Sequence, residues 1–233
     1  MQYMRESSQP PFPGPLSCVI FDMDGTLTRT NELIFASFNH VALKYLDTIL
    51  TPGEIVALFG PPEEGGLRTL LGREDVESAM DDLCQYYESH HDQMADLHPG
   101  IRDLLRFLRA RHIRLCVFTG KGRRTAEITL RRLGIDGYFD LVVSGSDVQF
   151  HKPHPDGILK VLEVFSFEPA RVLMVGDSIS DVRASKGAGV RIAGVLWDSY
   201  NKEGMKESGA DFLFETPDAF VLWCREQVAA AEG

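Results

Sequence analysis

Short apolar segments alternate along the chain with segments whose apolar residues recur at helical spacing. The apolar segments place Val, Ile, Leu and Phe on consecutive positions, as expected for strands that are covered on both faces. Six of them are predicted to be strands: 17–21, 113–118, 141–144, 172–175, 191–196 and 211–214. Helical patterns lie between them, for example at Ile101, Leu104, Leu105 and Leu108. This alternation predicts an α/β fold built on a doubly wound parallel sheet.

The segment 31–96 departs from this alternation. It contains no strand-like run, and helical stretches are predicted at 31–50, 52–59, 63–71 and 75–94, separated by proline and glycine. The segment holds 13 acids and three bases, a balance of −10 that equals the net charge of the whole chain. We therefore predict a separate α-helical unit at 31–96, inserted into an α/β core formed by 16–30 and 97–233.

Composition excludes several classes of protein. The chain has 233 residues, 44% of them hydrophobic, which is enough for one core and a small insert. Its acidic balance argues against nucleic-acid binding, and no apolar run approaches the ~20 residues of a membrane span. Four cysteines without a CxxC pair suggest free thiols and a reducing cytoplasm. Residues 1–15, with four prolines and no apolar centre, are predicted to be a flexible leader rather than a signal peptide.

Polar residues follow several of the predicted strands, where ligands bind in sheets of this type. The residues concerned are Asp22 and Asp24 after the first strand, Thr119, Gly120 and Lys121 after the second, Lys152 in a later loop, and Asp177 and Asp181 after the fourth. Each of these elements alone has an ordinary explanation, since an Asp or Ser after a strand often caps the next helix. Their joint placement at strand ends favours one shared site.

The residue types at this edge suit phosphoryl transfer. Clustered carboxylates repel one another and need a cation, and oxygen ligands without Cys or His favour Mg²⁺. Lys152 and the Thr119 hydroxyl are suited to bind phosphate oxygens. A carboxylate that attacks phosphorus forms an aspartyl-phosphate, and a second acid two residues further on can protonate the leaving oxygen and then activate water.

These motifs resemble those of the haloacid dehalogenase superfamily over about 16–233. Asp22-Met23-Asp24-Gly25-Thr26 matches the first motif, DxDGT, and the sequence GDSISD at 176–181 matches the fourth, GDxxxD. Thr119 and Lys152 stand at the second and third motifs. All four occur in order and at predicted strand ends, so the set is far more specific than any one of them.

The resemblance implies a role for each matching residue. Asp22 would be the nucleophile and a Mg²⁺ ligand, and Asp24 the acid/base, whose backbone carbonyl also binds the metal. Asp177 would be a further metal ligand, and Asp181 an acid that binds the metal directly or supports its ligands. Thr119, the Gly120 amide and Lys152 would bind the substrate phosphate.

The helical segment is similar to the mobile cap of the phosphoglycolate phosphatase and β-phosphoglucomutase branch, which covers the site and contacts the leaving group. The chain departs from that branch at Arg29, where an acid is common, and after Thr119, where many relatives have Asn. Here Gly120-Lys121-Gly122-Arg123-Arg124 follows. We take Lys121 and the cap residue Arg68 as candidate substrate-specificity residues. Solvated surface bases or an ion pair within the acidic cap are the alternative for these cations.

The leading hypothesis is a Mg²⁺-dependent phosphoric monoester hydrolase that acts on a small phosphorylated metabolite, as a monomer or homodimer. A phosphosugar mutase similar to β-phosphoglucomutase shares the four motifs and differs in returning the phosphate to the sugar. A pyrophosphatase of the same superfamily is compatible with every motif. A non-catalytic binding protein is a third class, against which the intact acids and lysine argue. The motifs do not identify the substrate.

Overall fold

A computed structural model describes residues 9–72 and 75–230. The strands are β1 (Cys18–Phe21), β2 (Thr28–Arg29), β3 (Asp96–Leu97), β4 (Arg114–Phe118), β5 (Leu141–Val143), β6 (Val172–Gly176), β7 (Arg191–Val195) and β8 (Phe212–Phe214). The α-helices are α1 (Asn31–Leu46), α2 (Pro52–Val56), α3 (Glu63–Leu71), α4 (Val76–Met94), α5 (Ile101–Arg109), α6 (Arg123–Arg132), α7 (Asp156–Phe165), α8 (Ile179–Gly187), α9 (Lys202–Glu207) and α10 (Pro217–Ala230). Short 3₁₀ helices lie at Asp136–Tyr138, Gly145–Asp147 and Pro169–Arg171.

Six strands form one parallel sheet in the order β5-β4-β1-β6-β7-β8. Side chains alternate between its faces: Val19 and Phe21 of β1 belong to the core beneath α5, α6 and α10, whereas Cys18 and Ile20 belong to the core beneath α7 and α8. Burial on both faces explains why these strands are continuous apolar runs. All six predicted strands are present, and the predicted α/β, doubly wound architecture is confirmed.

The carboxyl ends of β1, β4 and β6 lie side by side at the centre of the sheet. Phe21 of β1 is paired with Val117 of β4 and with Val175 of β6. The residues that follow these strands therefore lie at one edge of the sheet. The polar motifs of the sequence are among them.

Helices α1 to α4 pack around an apolar cluster of their own. Its buried residues include Leu33 and Phe38 of α1, Leu83 and Tyr87 of α4, and Ile128 of α6 in the α/β core. The antiparallel ribbon β2–β3 joins these helices to the sheet. The four helical stretches expected within 31–96 are thus present, and Ile128 ties their cluster to the core.

The acidic helices face a basic side of α6. Arg124, Arg131 and Arg132 lie within 2.7, 2.7 and 3.0 Å of Asp81, Glu88 and Asp92 of α4, respectively. These side chains are 35% to 66% exposed, so each pair contributes about 0.2–1 kcal/mol. Part of the negative charge of the helical segment is therefore paired with arginines of the core.

Part of the predicted leader packs against the core. Residues 1–8 lie outside the described residues, but Phe12 is buried, with its ring centroid 6.3 Å from that of Phe212. The Gln9 side-chain amide donates to the carbonyl of Leu213 at 2.8 Å. Among the described residues, no helix is both long and apolar enough to cross a membrane. The four cysteines are free and buried.

His98 follows β3 and is buried where the chain re-enters the core. Its backbone N–H donates to the carbonyl of Leu27 at 3.0 Å, and its ring lies 5.8 Å from that of Trp197, between centroids. Its Nε2 has no hydrogen-bond partner among the described residues. Burial, together with the positive charge of Arg29, lowers the pKa of His98 from 6.5 to about 4.

This burial predicts a pH dependence of stability. Between pH 6.5 and 4 the unfolded chain binds a proton at His98 that the folded protein excludes, so the free energy of unfolding should fall as the pH is lowered across this window. We expect the contribution of His98 to that fall to be on the order of 2 kcal/mol. Urea denaturation of the wild type and of His98→Gln at pH 7 and pH 4.5 measures it by difference. Equal pH dependence of the two proteins would contradict the assignment.

Candidate active site

A cavity of about 200 Å³ opens at the carboxyl edge of the sheet, beneath helices α1 to α3. Seven of the residues singled out by sequence line it: Asp22, Asp24, Thr119, Gly120, Lys121, Lys152 and Asp177. Helices α1 and α3 and the loop between α2 and α3 contribute Asn31, Ile34, Phe38, Leu58, Phe59, Gly60, Pro61 and Glu63. Ser178, Ser180 and Tyr200 complete the lining.

Lys152 connects two of the buried carboxylates. Its Nζ lies 2.9 Å from Oδ1 of Asp22 and 2.6 Å from Oδ1 of Asp181, and its side chain is 7% exposed. Burial lowers the pKa of Lys152, but the charges of Asp181 and Asp22 outweigh this effect, so the pKa lies above its ordinary value. Lys152 is therefore a permanent positive charge beside Asp22.

Asp181 is held from two sides. While Oδ1 accepts from Lys152, Oδ2 accepts from the backbone N–H of Ser178 at 3.1 Å and from its hydroxyl at 2.6 Å. This is the capping box at the start of α8, in which the Ser178 hydroxyl also accepts from the N–H of Asp181. Helix capping and the placement of Lys152 thus depend on the same carboxylate.

Asp22, Asp177 and Asp181 form a compact group of carboxylates. One oxygen from each lies within 4.8 Å of the others, and all three residues are buried. Burial raises the pKa of Asp22 to about 7, against the opposing charge of Lys152. Burial and the charges of Asp22 and Asp181 raise the pKa of Asp177 well above its ordinary value. The group is therefore short of positive charge, and its all-oxygen donor set fits a hard divalent cation.

Gly25 permits the close approach of Asp177 to the first motif. Its φ of +76° is a conformation that favours glycine, and an added Cβ would lie 2.7 Å from Oδ2 of Asp177. The following hydroxyl, that of Thr26, donates to Oδ1 of Asp177 at 3.1 Å. The glycine and threonine of the DxDGT motif thus shape the position of a carboxylate about 150 residues further along the chain.

The Asp24 carboxylate contacts Thr30 and Lys121. The Thr30 hydroxyl donates to its Oδ1 at 2.5 Å, and Nζ of Lys121 lies 3.3 Å from both of its carboxylate oxygens. The Lys121 side chain is 2% exposed, and its Nζ lies 4.7 Å from the ring centroid of Tyr87 and 3.6 Å from the Glu63 carboxylate. Lys121 thus contacts two carboxylates in the cavity.

Thr119 and Gly120 form the turn that follows β4. Thr119 is buried, and its hydroxyl oxygen accepts from the backbone N–H of Lys121 at 3.2 Å, which leaves the hydroxyl proton free to be donated into the cavity.

Burial lowers the pKa of Lys121, but the nearby carboxylate of Asp24 outweighs this effect and raises the pKa above its ordinary value. Lys121 is therefore charged.

The remaining candidate cations lie elsewhere. Arg68 is exposed on α3 and does not line the cavity. Arg123 is paired with Asp147, Arg124 with Asp81, and Arg29 with Asp96 across the β2–β3 ribbon. Of the candidate specificity residues, the structure brings Lys121 to the site and leaves Arg68 outside it. A role for Arg68 in substrate recognition stays a prediction.

Glu63 and Tyr200 are among the cavity residues that sequence reasoning missed. Tyr200 comes soon after β7, and extending the search for polar residues to that strand end would have found it. Glu63 is in the first turn of α3, where an acid has an ordinary explanation in the helix dipole. No local signal distinguishes such an acid from one that reaches into another part of the fold.

Comparison with known proteins identifies the family. The sequence model of the haloacid dehalogenase-like hydrolase family matches residues 19–195. Pyrophosphatase PpaX of Anoxybacillus flavithermus is 32% identical over 200 residues, which cover 86% of this chain and 93% of that protein. The chain belongs to the haloacid dehalogenase-like hydrolases, as the motifs predict, and the expectation of an enzyme is confirmed at that level.

Solved structures agree with this assignment. A candidate β-phosphoglucomutase from Thermotoga maritima is 31% identical and superposes with a TM-score of 0.72, covering 91% of this chain and 99% of that one. CbbY from Rhodobacter sphaeroides, solved in complex with phosphate, is 25% identical with a TM-score of 0.76, covering 86% and 94%. Coverage of both chains is nearly complete, so the likeness includes the helices α1 to α4 as well as the sheet.

The crowding of carboxylates predicts that Asp177→Asn stabilises the metal-free protein. The amide can still accept from Thr26 but adds no negative charge beside Asp22 and Asp181. We expect the free energy of unfolding in EDTA to rise, as measured by urea denaturation at pH 7.5. Added Mg²⁺ should raise the melting temperature of the wild type more than that of Asp177→Asn.

Asp140 provides the matched control. Although burial alone would raise the pKa of Asp140, hydrogen bonds from the Leu115 N–H, Arg109 and Arg114 outweigh it and lower the pKa. Asp140→Asn should therefore destabilise the protein. If Asp177→Asn behaved like Asp140→Asn in EDTA, and Mg²⁺ stabilised neither wild type nor variant, the group would not be a cation site.

Proposed function

We propose that the protein is a Mg²⁺-dependent phosphatase that hydrolyses a small phosphomonoester through an aspartyl-phosphate on Asp22. The observation that carries the proposal is the position of Asp22 in the cavity, with Nζ of Lys152 at 2.9 Å and the carboxylate of Asp177 beside it. Membership of the haloacid dehalogenase-like hydrolases supports it. We also place the protein in the cytoplasm, as a monomer or homodimer.

The carboxylates of Asp22 and Asp177 and the backbone carbonyl of Asp24 would hold the Mg²⁺. When bound, the ion supplies positive charge that offsets the phosphate and the carboxylates around it. Both oxygens of Asp181 are engaged by Lys152 and Ser178, so in this proposal Asp181 positions Lys152 and supports the ligands.

The substrate phosphate is bound by groups that already surround Asp22. Lys152 offers its ammonium group, Thr119 its free hydroxyl proton and Gly120 its backbone N–H, since all three residues line the cavity. These donors face the oxygens of the phosphate and leave the phosphorus open to Asp22. Their charge and hydrogen bonds stabilise the transition state, in which negative charge spreads over the phosphate oxygens.

Two steps complete the reaction. A carboxylate oxygen of Asp22 forms a bond to phosphorus as the bond from phosphorus to the alcohol oxygen breaks, and Asp24 gives that oxygen a proton. In the second step Asp24 takes a proton from water, whose oxygen attacks phosphorus and releases inorganic phosphate and the free carboxylate of Asp22. Thr30 and Lys121 hold the Asp24 carboxylate at the cavity throughout.

A pyrophosphatase activity is the second candidate, favoured by the identity to Pyrophosphatase PpaX. The same residues would perform it, with phosphate in place of an alcohol as the leaving group. The third candidate, a phosphosugar mutase, has a relative at 31% identity in the candidate β-phosphoglucomutase. Phosphate release from a panel of phosphorylated metabolites and from pyrophosphate distinguishes the first two, and return of phosphate to a sugar identifies the third.

Asp22→Asn should abolish turnover while the fold is retained. An amide is a very weak nucleophile toward phosphorus, so the rate with p-nitrophenyl phosphate should fall by roughly three orders of magnitude or more. Asp103→Asn, which removes an exposed carboxylate on α5, serves as the control and should keep the wild-type rate. Circular dichroism checks the fold. More than a few per cent of residual activity in Asp22→Asn would contradict the assignment of the nucleophile.

Asp24→Asn should trap the covalent intermediate. With p-nitrophenyl phosphate the leaving group needs little protonation, so the first step continues, whereas water attack still lacks its base. We expect a burst of p-nitrophenolate followed by slow turnover, with one phosphate added to Asp22 in rapid-quench mass spectrometry. Slow turnover without any phosphate on the chain would contradict a covalent route.

A further inference from the structure

Glu63 reaches from the first turn of α3 into the α/β core. Its Oε2 accepts from the backbone N–H of Gly122 at 2.6 Å, and its Oε1 accepts from the hydroxyl of Thr125 at 2.5 Å. Nζ of Lys121 lies 3.6 Å away, and the Glu63 side chain is only 10% exposed. A carboxylate of the helical segment, largely shielded from solvent, is therefore bound by donors that all belong to the core.

These donors have the composition of an anion site. They are a backbone N–H at the start of the ten-residue helix α6, a hydroxyl one turn later and a buried ammonium group. These groups would bind a phosphate or carboxylate of a substrate equally well. An added Cβ on Gly122 would lie 2.7 Å from Oε2 of Glu63, so the glycine permits this close contact. The protein's own carboxylate occupies the position that a second anionic group would need.

A second anionic group on the substrate would find no unpaired cation among the described residues that line the cavity. Among the described residues that line the cavity, the basic side chains are Lys121 and Lys152, and each already contacts two carboxylates. A second phosphate or carboxylate on the substrate would therefore meet the negative charge of Glu63 and Asp24 without a free cation to balance it.

The outer wall of the cavity is apolar. Its lining includes Ile34, Phe38, Leu58 and Phe59 of the helical segment and Tyr200 of the core. Ring centroids of Phe59 and Tyr200 are 6.1 Å apart, and the two residues are 37% and 48% exposed. Exposed aromatic faces beside a cavity suit an uncharged, apolar part of a ligand.

We propose that Glu63 is a specificity-determining residue that excludes substrates whose leaving group carries a second anionic group. The selected class is a phosphomonoester with an uncharged alcohol that packs against Phe59 and Tyr200. Bisphosphates, pyrophosphate and phosphorylated carboxylic acids are rejected because Glu63 occupies the donors at the start of α6. This inference rests on the proposed phosphatase activity and specifies its substrate class.

The test compares substrates that differ by one carboxylate. For the wild type, kcat/KM with Mg²⁺ is measured on phenyl phosphate against 4-carboxyphenyl phosphate, on ethyl phosphate against phosphoglycolate, and on pyrophosphate. In each pair we expect the substrate whose leaving group has no carboxylate to be preferred about tenfold or more. This is the effect of one unfavourable buried charge contact. Pyrophosphate should be the poorest substrate of the set.

Glu63→Ala and Glu63→Gln should reduce this preference. Glu63→Ala leaves the Gly122 N–H, the Thr125 hydroxyl and Lys121 for the substrate anion, so kcat/KM for the substrate with the charged leaving group should rise relative to its partner by about tenfold, mainly through KM. Glu63→Gln keeps the size of the side chain and removes only its negative charge, so the ratio should change in the same direction and the test does not depend on Glu63→Ala folding. Glu77→Gln removes an exposed acid of α4 and should leave every ratio unchanged.

The outcomes separate the two proposals. Equal or higher kcat/KM of the wild type for the charged substrates would overturn the role of Glu63 and leave the phosphatase activity standing. The same holds if both Glu63 variants changed the charged and uncharged members by one common factor, which indicates a purely structural contact. Absence of Mg²⁺-dependent turnover of every phosphorylated compound by the wild type would overturn the proposed function and this inference together.

Discussion

The concentration of buried negative charge at the carboxyl edge of the sheet is the constraint on which the rest of the site depends. Asp22, Asp177 and Asp181 lie together, and one ammonium group, that of Lys152, contacts Asp22 and Asp181. Such a group is costly to bury unless each carboxylate is bound, and the surroundings meet this demand with the capping box of α8 and the hydroxyl of Thr26. The remaining deficit of positive charge is what makes the edge suited to a divalent cation.

The same balance of charge links the helical segment to the core. Acids of α4 face arginines of α6, and the carboxylate of Glu63 approaches Lys121, which also contacts Asp24. The helices above the cavity are thus coupled electrostatically to a residue proposed to transfer protons. The exposed pairs on α6 contribute little each, whereas the contacts of Glu63 and Lys121 are buried and stronger.

The proposed catalytic residues and the proposed substrate-specificity residues lie in different parts of the cavity. The core contributes the proposed nucleophile, acid/base and phosphate donors, all at the ends of neighbouring parallel strands. The helical segment contributes Glu63 and most of the apolar wall, which are proposed to contact the leaving group of the substrate. In this proposal the catalytic residues and the residues that select the substrate come from separate segments of the sequence, which meet at one cavity.

Local pattern in the sequence was sufficient to determine the six strands, the helices between them and the strand-end motifs. Runs of buried residues are local signals, and parallel strands bring their carboxyl ends to one edge, so Asp22, Thr119 and Asp177 could be placed together. Only the tertiary structure decided that Lys121 contacts Asp24, that Glu63 binds at the start of α6 and that Arg68 faces solvent. Those outcomes depend on how α3 is rotated and docked against a surface some 60 residues away in sequence. The first turn of an amphipathic helix carries no local signal of which partner its acids will meet.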